Sequence, residues 1–443
     1  MKYLGLLAVV CVVVCAQTPR QAIVLQDVRL IDGTGGAPRD HMQVVIADGR
    51  ISTVRSSLLR IALPENARVL NLNGKTVMPG LINGHGHLGL VHDVSVRPEN
   101  YTRENVERQL KQYERYGITT TVSLGMNKDL LYQLRSEQRD GKLGGATIIT
   151  ADRGLGSPGG MPPVNVGSDQ LYRVNTPAEA RKAVDEMASR HADLIKMWVD
   201  DNLGKLPKQT PEVYDAAIDE THKQHLRAAA HIFYQTDAKR LLAGGIDILA
   251  HSIRDSEIEP GTIDAIKSRT VFYIPTLQLE EAFFIYAGQP DWMKTSFFGS
   301  AAGPELEKQL ASAAYRDKVE RDPTTLVHRQ ALRIAMTNLK RLYDANAPVA
   351  FGTDSGANPY RIQGFAEHRE LQLMVEAGMP ALAALHSATA VNARMLGIDS
   401  QTGTIEPGKR ADLVVLNADP TADITNTRKI AMVFHNGQRV TLQ

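Results

Sequence analysis

The chain has 443 residues, of which 43% are hydrophobic and 22% are charged, a composition typical of a globular protein with one large domain and a smaller one. Lysine and arginine number 50 against 49 acidic residues, so no excess of charge favours nucleic acid or an anionic membrane as a partner. We therefore expect a small-molecule substrate.

The N-terminus has the pattern of a secretory signal peptide. Lys2 precedes an apolar run from Leu4 to Val14, which is shorter than the roughly 20 residues that a membrane span needs. We expect residues 1–16 to be removed and the mature protein to be periplasmic or secreted; an uncleaved anchor is the alternative. Cys11 and Cys15 both lie in this segment and are the only cysteines, so the mature chain would have no disulfide bond and no cysteine nucleophile.

The two ends of the mature chain share a pattern of short alternating strands separated by turns. Residues 17–78 contain turn clusters such as Asp48-Gly49, and residues 401–443 contain Asn436-Gly437, both of which are typical of hairpins. We expect these segments to pair in one small β-sandwich domain. Its predicted strands are 23–30, 42–47, 50–54, 68–71, 75–78, 413–416, 430–435 and 439–442.

Residues 79–400 alternate buried strands with helical stretches, which indicates a parallel sheet. Eight strands are predicted, the number that closes a (β/α)8 TIM barrel. An open doubly wound sheet is the alternative, but no glycine-rich phosphate turn follows the first strand. The eight predicted strands are 80–87, 117–125, 145–151, 193–199, 227–233, 246–251, 271–277 and 348–354.

Polar side chains end several of these apolar strands. His85 and His87 lie two residues apart, and in an extended chain such residues project to the same side, where they could bind one metal ion. Burying one such polar group without a partner costs several kcal/mol, so a shared metal centre is the simplest explanation for all of them. The predicted site residues at the carboxyl ends of the strands are His85, His87, Lys196, His231, His251 and Asp354.

The order of these residues resembles that of the amidohydrolase superfamily. The features that match are His-x-His after Pro-Gly at the first strand, lysine at the fourth, histidine at the fifth and sixth, Gly-Thr-Asp at the eighth, and the closing segment 403–413. Within the superfamily, the chain is most similar to the imidazolonepropionase-like and prolidase-like branch. That branch includes Xaa-Pro and Xaa-Arg dipeptidases and relatives that act on phenylureas or on the amide of ochratoxin.

The resemblance implies two divalent metal ions, most simply zinc. It assigns His85, His87 and Asp354 to the inner ion and His231 and His251 to the outer ion. It also implies that Lys196 is carboxylated and that its carbamate bridges the two ions. The presence of Lys196 argues against the mononuclear deaminase branch. Asp354 would be the catalytic general base and then the general acid while a metal-activated hydroxide attacks a carbonyl group.

Four further residues are candidates for substrate contacts. Tyr234 and Arg254 each follow a predicted metal ligand closely, and Arg254 could clamp an anion. Tyr234 could instead close the core, and Arg254 could pair with Asp255 or with a helix acid. Many prolidase-like relatives have a histidine where this chain has Met161, which cannot donate a hydrogen bond to a substrate carboxylate and so favours a more apolar pocket.

An unusual number of aromatic residues lies between positions 283 and 298, and Trp292 is the predicted substrate contact among them. They could form a lid over a bulky substrate, or an amphipathic helix packed on the core or at a homo-oligomer contact.

The predicted function is therefore a metal-dependent hydrolase of an amide-type carbon–nitrogen bond, in an N-acyl amino acid, a dipeptide or an aryl amide. A lactone or ester hydrolase with the same site is one alternative. A metal-bearing binding protein without catalysis is the other.

Overall fold

The computed structural model describes residues 21–59 and 61–442. The predicted signal peptide, residues 1–16, lies outside the described residues. Within the described ranges, no helix is both long enough and apolar enough to cross a membrane.

One mixed sheet joins the N-terminal and C-terminal segments. The strand Thr76–Pro79 pairs in parallel with Ile23–Leu30 and antiparallel with Leu413–Leu416, with Pro79 opposite Leu413. The inward side chains of both segments, including Leu25 and Phe434, are fully buried together. The eight strands of this sheet are Ile23–Leu30, Arg39–Ala47, Arg50–Ser56, Arg68–Asn71, Thr76–Pro79, Leu413–Leu416, Ile430–His435 and Gln438–Arg439.

The central part of the chain contains parallel strands in two further sheets. The first sheet has three strands: Leu81–Gly86, Ile118–Ser123 and Thr147–Thr150. The second has the strands Ile195–Trp198, Ala228–His231, Ile248–Ala250 and Phe272–Ile274, with two short strands, Leu155–Gly156 and Tyr172–Arg173, at its edge. A separate hairpin pairs Val91–His92 with Ser95–Val96.

Backbone hydrogen bonds also connect these two sheets to each other. On one side, the amide of Asp193 donates to the carbonyl of Thr150 at 2.9 Å. On the other side, residues 348–355 lie between the last strand and the first: Ala350 donates to Tyr273, and Thr353 donates to His85. The predicted strand 348–354 is therefore present only as isolated bridges rather than as a regular strand.

Helices follow most of the parallel strands and cover them with their apolar sides. In the helix Arg103–Arg115, for example, Val106, Leu110 and Tyr113 lie at helical spacing and are completely buried. The helix Pro177–Ser189 begins with a capping box between Thr176 and Glu179. The other α-helices are Leu130–Arg139, Pro211–Lys223, Gln235–Gly244, Pro260–Ser268, Leu277–Glu281, Ser296–Ala311, Ala313–Arg321, Thr324–Asp344, Phe365–Glu376, Ala381–His386 and Asn392–Met395.

Because the strands are parallel and adjacent, their carboxyl ends meet at one side of the molecule. Five of the six predicted site residues lie within one residue of these ends or just beyond them, and Lys196 lies inside its strand, two residues before Trp198. Their polar atoms therefore come together although the residues span positions 85 to 354 of the sequence.

Candidate metal centre

Three of the six side chains converge directly. The Nε2 atoms of His85 and His87 lie 3.1 Å and 3.0 Å from the same oxygen, Oδ1 of Asp354. All three residues are buried, and their potential ligand atoms lie within 4.8 Å of one another. Two imidazoles and a carboxylate at this separation form a suitable donor set for a transition-metal ion.

Arg361 contacts the second carboxylate oxygen of Asp354. Burial alone would raise the pKa of Asp354, but the guanidinium group of Arg361 and the two imidazoles hold it well below its usual value. Asp354 is therefore a buried anion. Arg361 lies seven residues beyond Asp354, and no sequence pattern indicates this contact.

His231 and His251 occupy the adjacent part of the site. Their ring centroids are 4.3 Å apart, and the ring of His251 lies 4.5 Å from that of His85. The four imidazoles thus form a continuous group along the carboxyl ends of the strands. Burial is the main cause that lowers the pKa of His85, His231 and His251, which keeps their rings neutral. Neutral imidazole is the form that binds a metal ion.

Lys196 lies in the same group, on the strand Ile195–Trp198. Its side chain is fully buried, and its Nζ atom has no hydrogen-bond partner among the described residues. Burial lowers the pKa of this amine to about 7, although the carboxylates of Asp354 and Asp200 favour the charged form. A buried amine without a partner is costly, so this atom requires an explanation.

Hydrogen bonds from outside the group orient three of the rings. His87 Nδ1 lies 3.3 Å from the carbonyl oxygen of Gly125, and His251 Nδ1 lies 2.8 Å from the hydroxyl of Thr276. His231 Nε2 contacts the carboxylate of Asp200 at 2.5 Å. Contacts of this kind fix the orientation of metal-binding histidines and tune their basicity.

Asp200 was absent from the predicted site. Burial would raise the pKa of its carboxyl group, but His231 and the amide of Asn202 outweigh burial and lower it. The only signal in the sequence was its place two residues after the strand that carries Lys196.

The backbone at two site residues is strained. His251 has φ of 93° and Asp354 has φ of 59°, in the left-handed region that non-glycine residues seldom adopt. Such strain persists only where the surrounding structure enforces it, and it is common at functional sites. Close packing of residue 352 against His85 is part of the surrounding structure. Glycine permits this close approach, because a Cβ atom at position 352 would lie 2.7 Å from the Cβ of His85.

A buried polar network holds the two chain segments that carry His85 and Asp354. The carboxylate of Glu367 accepts hydrogen bonds from Asn83 at 2.9 Å and from Thr353 and Ser355 at 2.7 Å each. Burial raises the pKa of Glu367, although the hydrogen bonds from Ser355, Thr353 and backbone amides favour the anion. The network fixes the first strand against residues 348–355.

The model of the amidohydrolase family matches residues 76–440, which is most of the chain. The chain belongs to the amidohydrolase family. The resemblance inferred from the six site residues is therefore confirmed, and membership implies an α/β fold of the TIM-barrel type.

Three amidohydrolase relatives show how broad the similarity is. An uncharacterized protein of Mycobacterium tuberculosis is 27% identical over 267 residues, which is 58% of this chain but only 63% of that protein. A 5-methylthioadenosine/S-adenosylhomocysteine deaminase of Haloquadratum walsbyi is 24% identical over 418 residues, 88% of this chain and 82% of that protein. The crystal structure of a candidate prolidase from Bifidobacterium longum has a TM-score of 0.75 at 27% identity, covering 95% of this chain and 94% of that one.

Among the residues predicted to contact substrate, Tyr234 lies three residues after His231. Its hydroxyl donates a hydrogen bond to Asp201 at 2.8 Å, and the amine of Lys208 lies 4.3 Å from the centre of its ring. Burial and the contact with Asp201 raise the pKa of Tyr234, so its hydroxyl stays protonated. It remains a hydrogen-bond donor at the edge of the site.

Arg254 is engaged inside the protein. Its Nε atom donates to Glu280 at 2.6 Å, and its Nη1 atom donates to the carbonyls of Ile232 and Ser252. His328 binds the other oxygen of Glu280 at 2.6 Å. The structure thus shows the pairing with a helix acid, since Glu280 belongs to the helix Leu277–Glu281.

Met161 lies beside an apolar cluster that includes Trp198, the second residue after Lys196. The cluster also contains Leu90, Met126 and Leu171, all of which are buried. The structure thus places the side chain of Met161 next to the strand that carries Lys196, in apolar surroundings.

The aromatic stretch divides into two parts. The ring of Phe283 stacks on His328 at 3.6 Å and lies 5.5 Å from the guanidinium of Arg361, next to the site. Trp292, in contrast, packs against Phe365 at 4.8 Å and Phe298 at 5.4 Å, on the large hydrophobic core. Trp292 therefore packs on the core, whereas Phe283 is the aromatic residue of this stretch that lies near the metal ligands.

Proposed function

We propose that this protein is a metal-dependent amidohydrolase that cleaves an amide-type carbon–nitrogen bond of a small molecule at a two-metal centre. The observation that carries the proposal is the position of Lys196. Its fully buried amine lacks a hydrogen-bond partner in the described parts of the chain and interacts electrostatically with His85, His231, His251 and Asp354. Support also comes from family membership and from the named relatives, a deaminase and a candidate prolidase, whose reactions both break carbon–nitrogen bonds.

The residues present fit a pair of divalent ions. His85, His87 and Asp354 would hold one ion, and His231 and His251 would hold the other. Neutral imidazoles and a carboxylate are ligands that zinc accepts, and zinc is our proposed metal. The Nδ1 atom of His85 lacks a hydrogen bond within residues 21–59 and 61–442, and its Nε2 atom has there only the 3.1 Å contact with Asp354, which is the state expected of a ligand whose partner is an ion.

Lys196 fits this centre as a carbamate. A charged amine would be repelled by two nearby dications, whereas the carbamate formed with carbon dioxide would be an anion that could help to hold them. Carbamate formation requires the neutral amine, and burial makes that form accessible because it lowers the pKa of Lys196 to about 7. The modification would also replace a buried cation with an anion whose oxygen atoms can ligate metal ions.

Bound ions would supply Lewis-acid polarisation of the scissile carbonyl group and a lowered pKa for a water molecule. The remaining steps depend on residues of the chain. Asp354, held as an anion by Arg361, would accept the proton of the attacking water and return it to the leaving amine. Tyr234, which stays protonated, would donate a hydrogen bond to the substrate after exchanging its present partner, Asp201.

We further propose that the eight parallel segments close into a (β/α)8 barrel and that the mixed sheet forms a β-sandwich. The hydrogen bonds from Asp193 to Thr150 and from Thr353 to His85 support closure of the barrel on both sides. A crystal structure in which residues 348–355 contact only one neighbouring strand would contradict this arrangement.

Export to the periplasm or the medium is a separate proposal, supported by the apolar N-terminal run alone. N-terminal sequencing of protein recovered from cell fractions tests it. A mature form that keeps residues 1–16 in the cytoplasmic fraction would contradict it.

The experiment that tests the activity is a substrate screen with zinc and bicarbonate supplied. The panel consists of N-acyl amino acids, dipeptides, aryl amides, phenylureas and lactones, and Asp354→Asn is the matched control. We expect hydrolysis of at least one amide by the native chain and none above background by the variant. Hydrolysis of lactones alone would replace the amide assignment, and inactivity towards the whole panel would favour a binding protein.

A further inference from the structure

A cavity of about 940 Å³ lies at the opposite end of the parallel strands from the metal centre. One wall contains Thr147 and Asp193, at the amino ends of two strands, and the other contains His435 and Arg439 of the mixed sheet. The cavity therefore lies between the two parts of the fold. Its volume is within the range of small-molecule binding sites.

The residues that line this cavity carry a strong excess of positive charge. Seven cationic side chains face two carboxylates, those of Glu114 and Asp193, which leaves an excess of five charges. The whole chain, in contrast, has a formal net charge of only +1. The cationic residues are Lys111, Arg115, Arg135, Arg139, Lys142, Arg410 and Arg439.

Both carboxylates already have partners. Asp193 pairs with Arg135 at 2.5 Å, and Glu114 pairs with His435 at 2.7 Å. Lys142 pairs with Asp140, which is outside the cavity lining, at 2.8 Å. The two carboxylates of the lining are thus not available to the remaining cations.

Four of the cations have no hydrogen-bond or ion-pair partner within the described ranges: Lys111, Arg115, Arg139 and Arg439. Arg410 adds a fifth charge, with its Nε atom 3.1 Å from Asp412. Like charges gathered around one concave surface repel each other, and a concave wall focuses their field. An anion in the cavity would relieve that repulsion.

A second cavity at the same end of the strands shows that arginine side chains in such a cavity can have hydrogen-bond partners. It has a volume of about 720 Å³ and is lined by Arg227 and Arg269, among others. There, Arg227 donates to the carbonyl of Arg394, Arg269 donates to the carbonyl of Leu242, and Arg394 is the single arginine of the lining without a side-chain partner in the described ranges. The excess of unpaired cations thus distinguishes the larger cavity.

We propose that the larger cavity binds a compact, multiply charged phosphate compound, and that this site is distinct from the metal centre. Guanidinium groups pair with phosphate oxygens through two parallel hydrogen bonds, and lysine adds a point charge. A diphosphate group has the charge density that four unpaired cations require. The proposal is independent of the proposed hydrolase activity, because the cavity shares no residue with the metal centre.

Calorimetric titration of the full-length chain with inorganic pyrophosphate tests this site, with citrate and chloride at matched ionic strength as competing anions. We expect one pyrophosphate per chain. The triple variant Lys111→Ala, Arg139→Ala, Arg439→Ala should bind it about tenfold or more weakly, with unchanged hydrolase activity. The control is the double variant Lys308→Ala, Arg333→Ala, which removes exposed cations from helices outside the cavity and should bind normally.

A second variant set protects the test against misfolding. Arg139→Lys with Arg439→Lys keeps both charges and should retain more affinity than the double alanine variant, while thermal melting shows whether each variant folds. Absence of saturable binding by the native chain would overturn the proposal, as would equal binding by the triple variant. Tighter binding of citrate than of pyrophosphate would overturn the assignment to phosphate.

Discussion

The two ends of the parallel strands use charge in opposite ways. At the carboxyl end the charged groups are buried, and two of the carboxylates have cationic partners: Asp354 pairs with Arg361, and Glu280 pairs with Arg254. At the amino end the cavity is open to solvent, and cations such as Arg139 and Arg439 lack counterions within the described chain. Burial requires pairing or a change of protonation, whereas exposure permits an excess of one charge.

Lysine shows the same contrast within one residue type. Lys196 is completely buried, and burial lowers its pKa to about 7, so that it can react as a free amine. Lys111, at the other end, is exposed and can serve as a permanent positive charge. The carboxyl end is therefore suited to metal ions and chemistry, and the amino end to the binding of an anion.

The largest effect should come from Asp354→Asn. The variant keeps its hydrogen-bonding shape but cannot accept a proton, so we expect metal to remain bound and turnover to fall by about 100-fold to 10,000-fold. Steady-state kinetics together with metal analysis of the same sample measure both quantities. Turnover near that of the native chain would exclude Asp354 as the general base.

The next largest effect is the pH dependence of the free energy of unfolding of the metal-free protein. The unfolded chain keeps Lys196 protonated up to a pH of about 10.4, whereas the folded chain releases that proton near pH 7. The unfolded state therefore binds more protons between these values, and stability should rise with pH. From about pH 7 to about pH 9 we expect the free energy of unfolding to gain about 2 kcal/mol relative to Lys196→Met.

Urea unfolding of the metal-stripped native chain and of Lys196→Met at both pH values gives this difference. Because the methionine variant lacks the amine, its stability should not include this rise. Parallel pH dependences of the two proteins would show that Lys196 is protonated normally in the folded state.

A smaller effect is expected from Asp200→Asn. The carboxylate of Asp200 contacts the ring of His231, and loss of such an orienting contact typically weakens metal binding by about 10-fold to 100-fold. Competition with a chelator measures the affinity. Asp219→Asn, a change at an exposed carboxylate of the helix Pro211–Lys223, is the control and should leave the affinity unchanged.

The smallest effect on catalysis should come from Trp292→Ala. Trp292 packs on Phe365 and Phe298, so we expect a loss of stability of about 1–3 kcal/mol with little change in KM. Phe283→Ala is the matched comparison, because Phe283 lies beside Arg361 and should change KM more. A large change in KM for Trp292→Ala would instead support a lid.

Strands in which apolar and polar residues alternate strongly were predicted well from the sequence. The structure has Ile23–Leu30, Leu413–Leu416 and Ile430–His435 with the predicted limits. The segment 348–354 differs, because its backbone follows two neighbours through isolated bridges and turns sharply at Asp354. Alternation of apolar residues does not report such a turn.

The predicted metal ligands came from strand ends, a local feature that a sequence displays. The residues that contact these ligands could not be predicted in this way, because they are defined by contacts between distant segments. His328, for example, contacts Glu280 and so supports Arg254, although 48 positions separate His328 from Glu280 in the sequence. Arg361 is near Asp354 in sequence, but only the fold brings its guanidinium group to that carboxylate.

The central claim is a two-metal centre built around Lys196. Its most direct test is the metal content of the purified chain after growth with zinc and bicarbonate, measured by elemental analysis against protein concentration. We expect two ions per chain in the native protein and a clear loss in Lys196→Ala. Fewer than about one ion per native chain would contradict it.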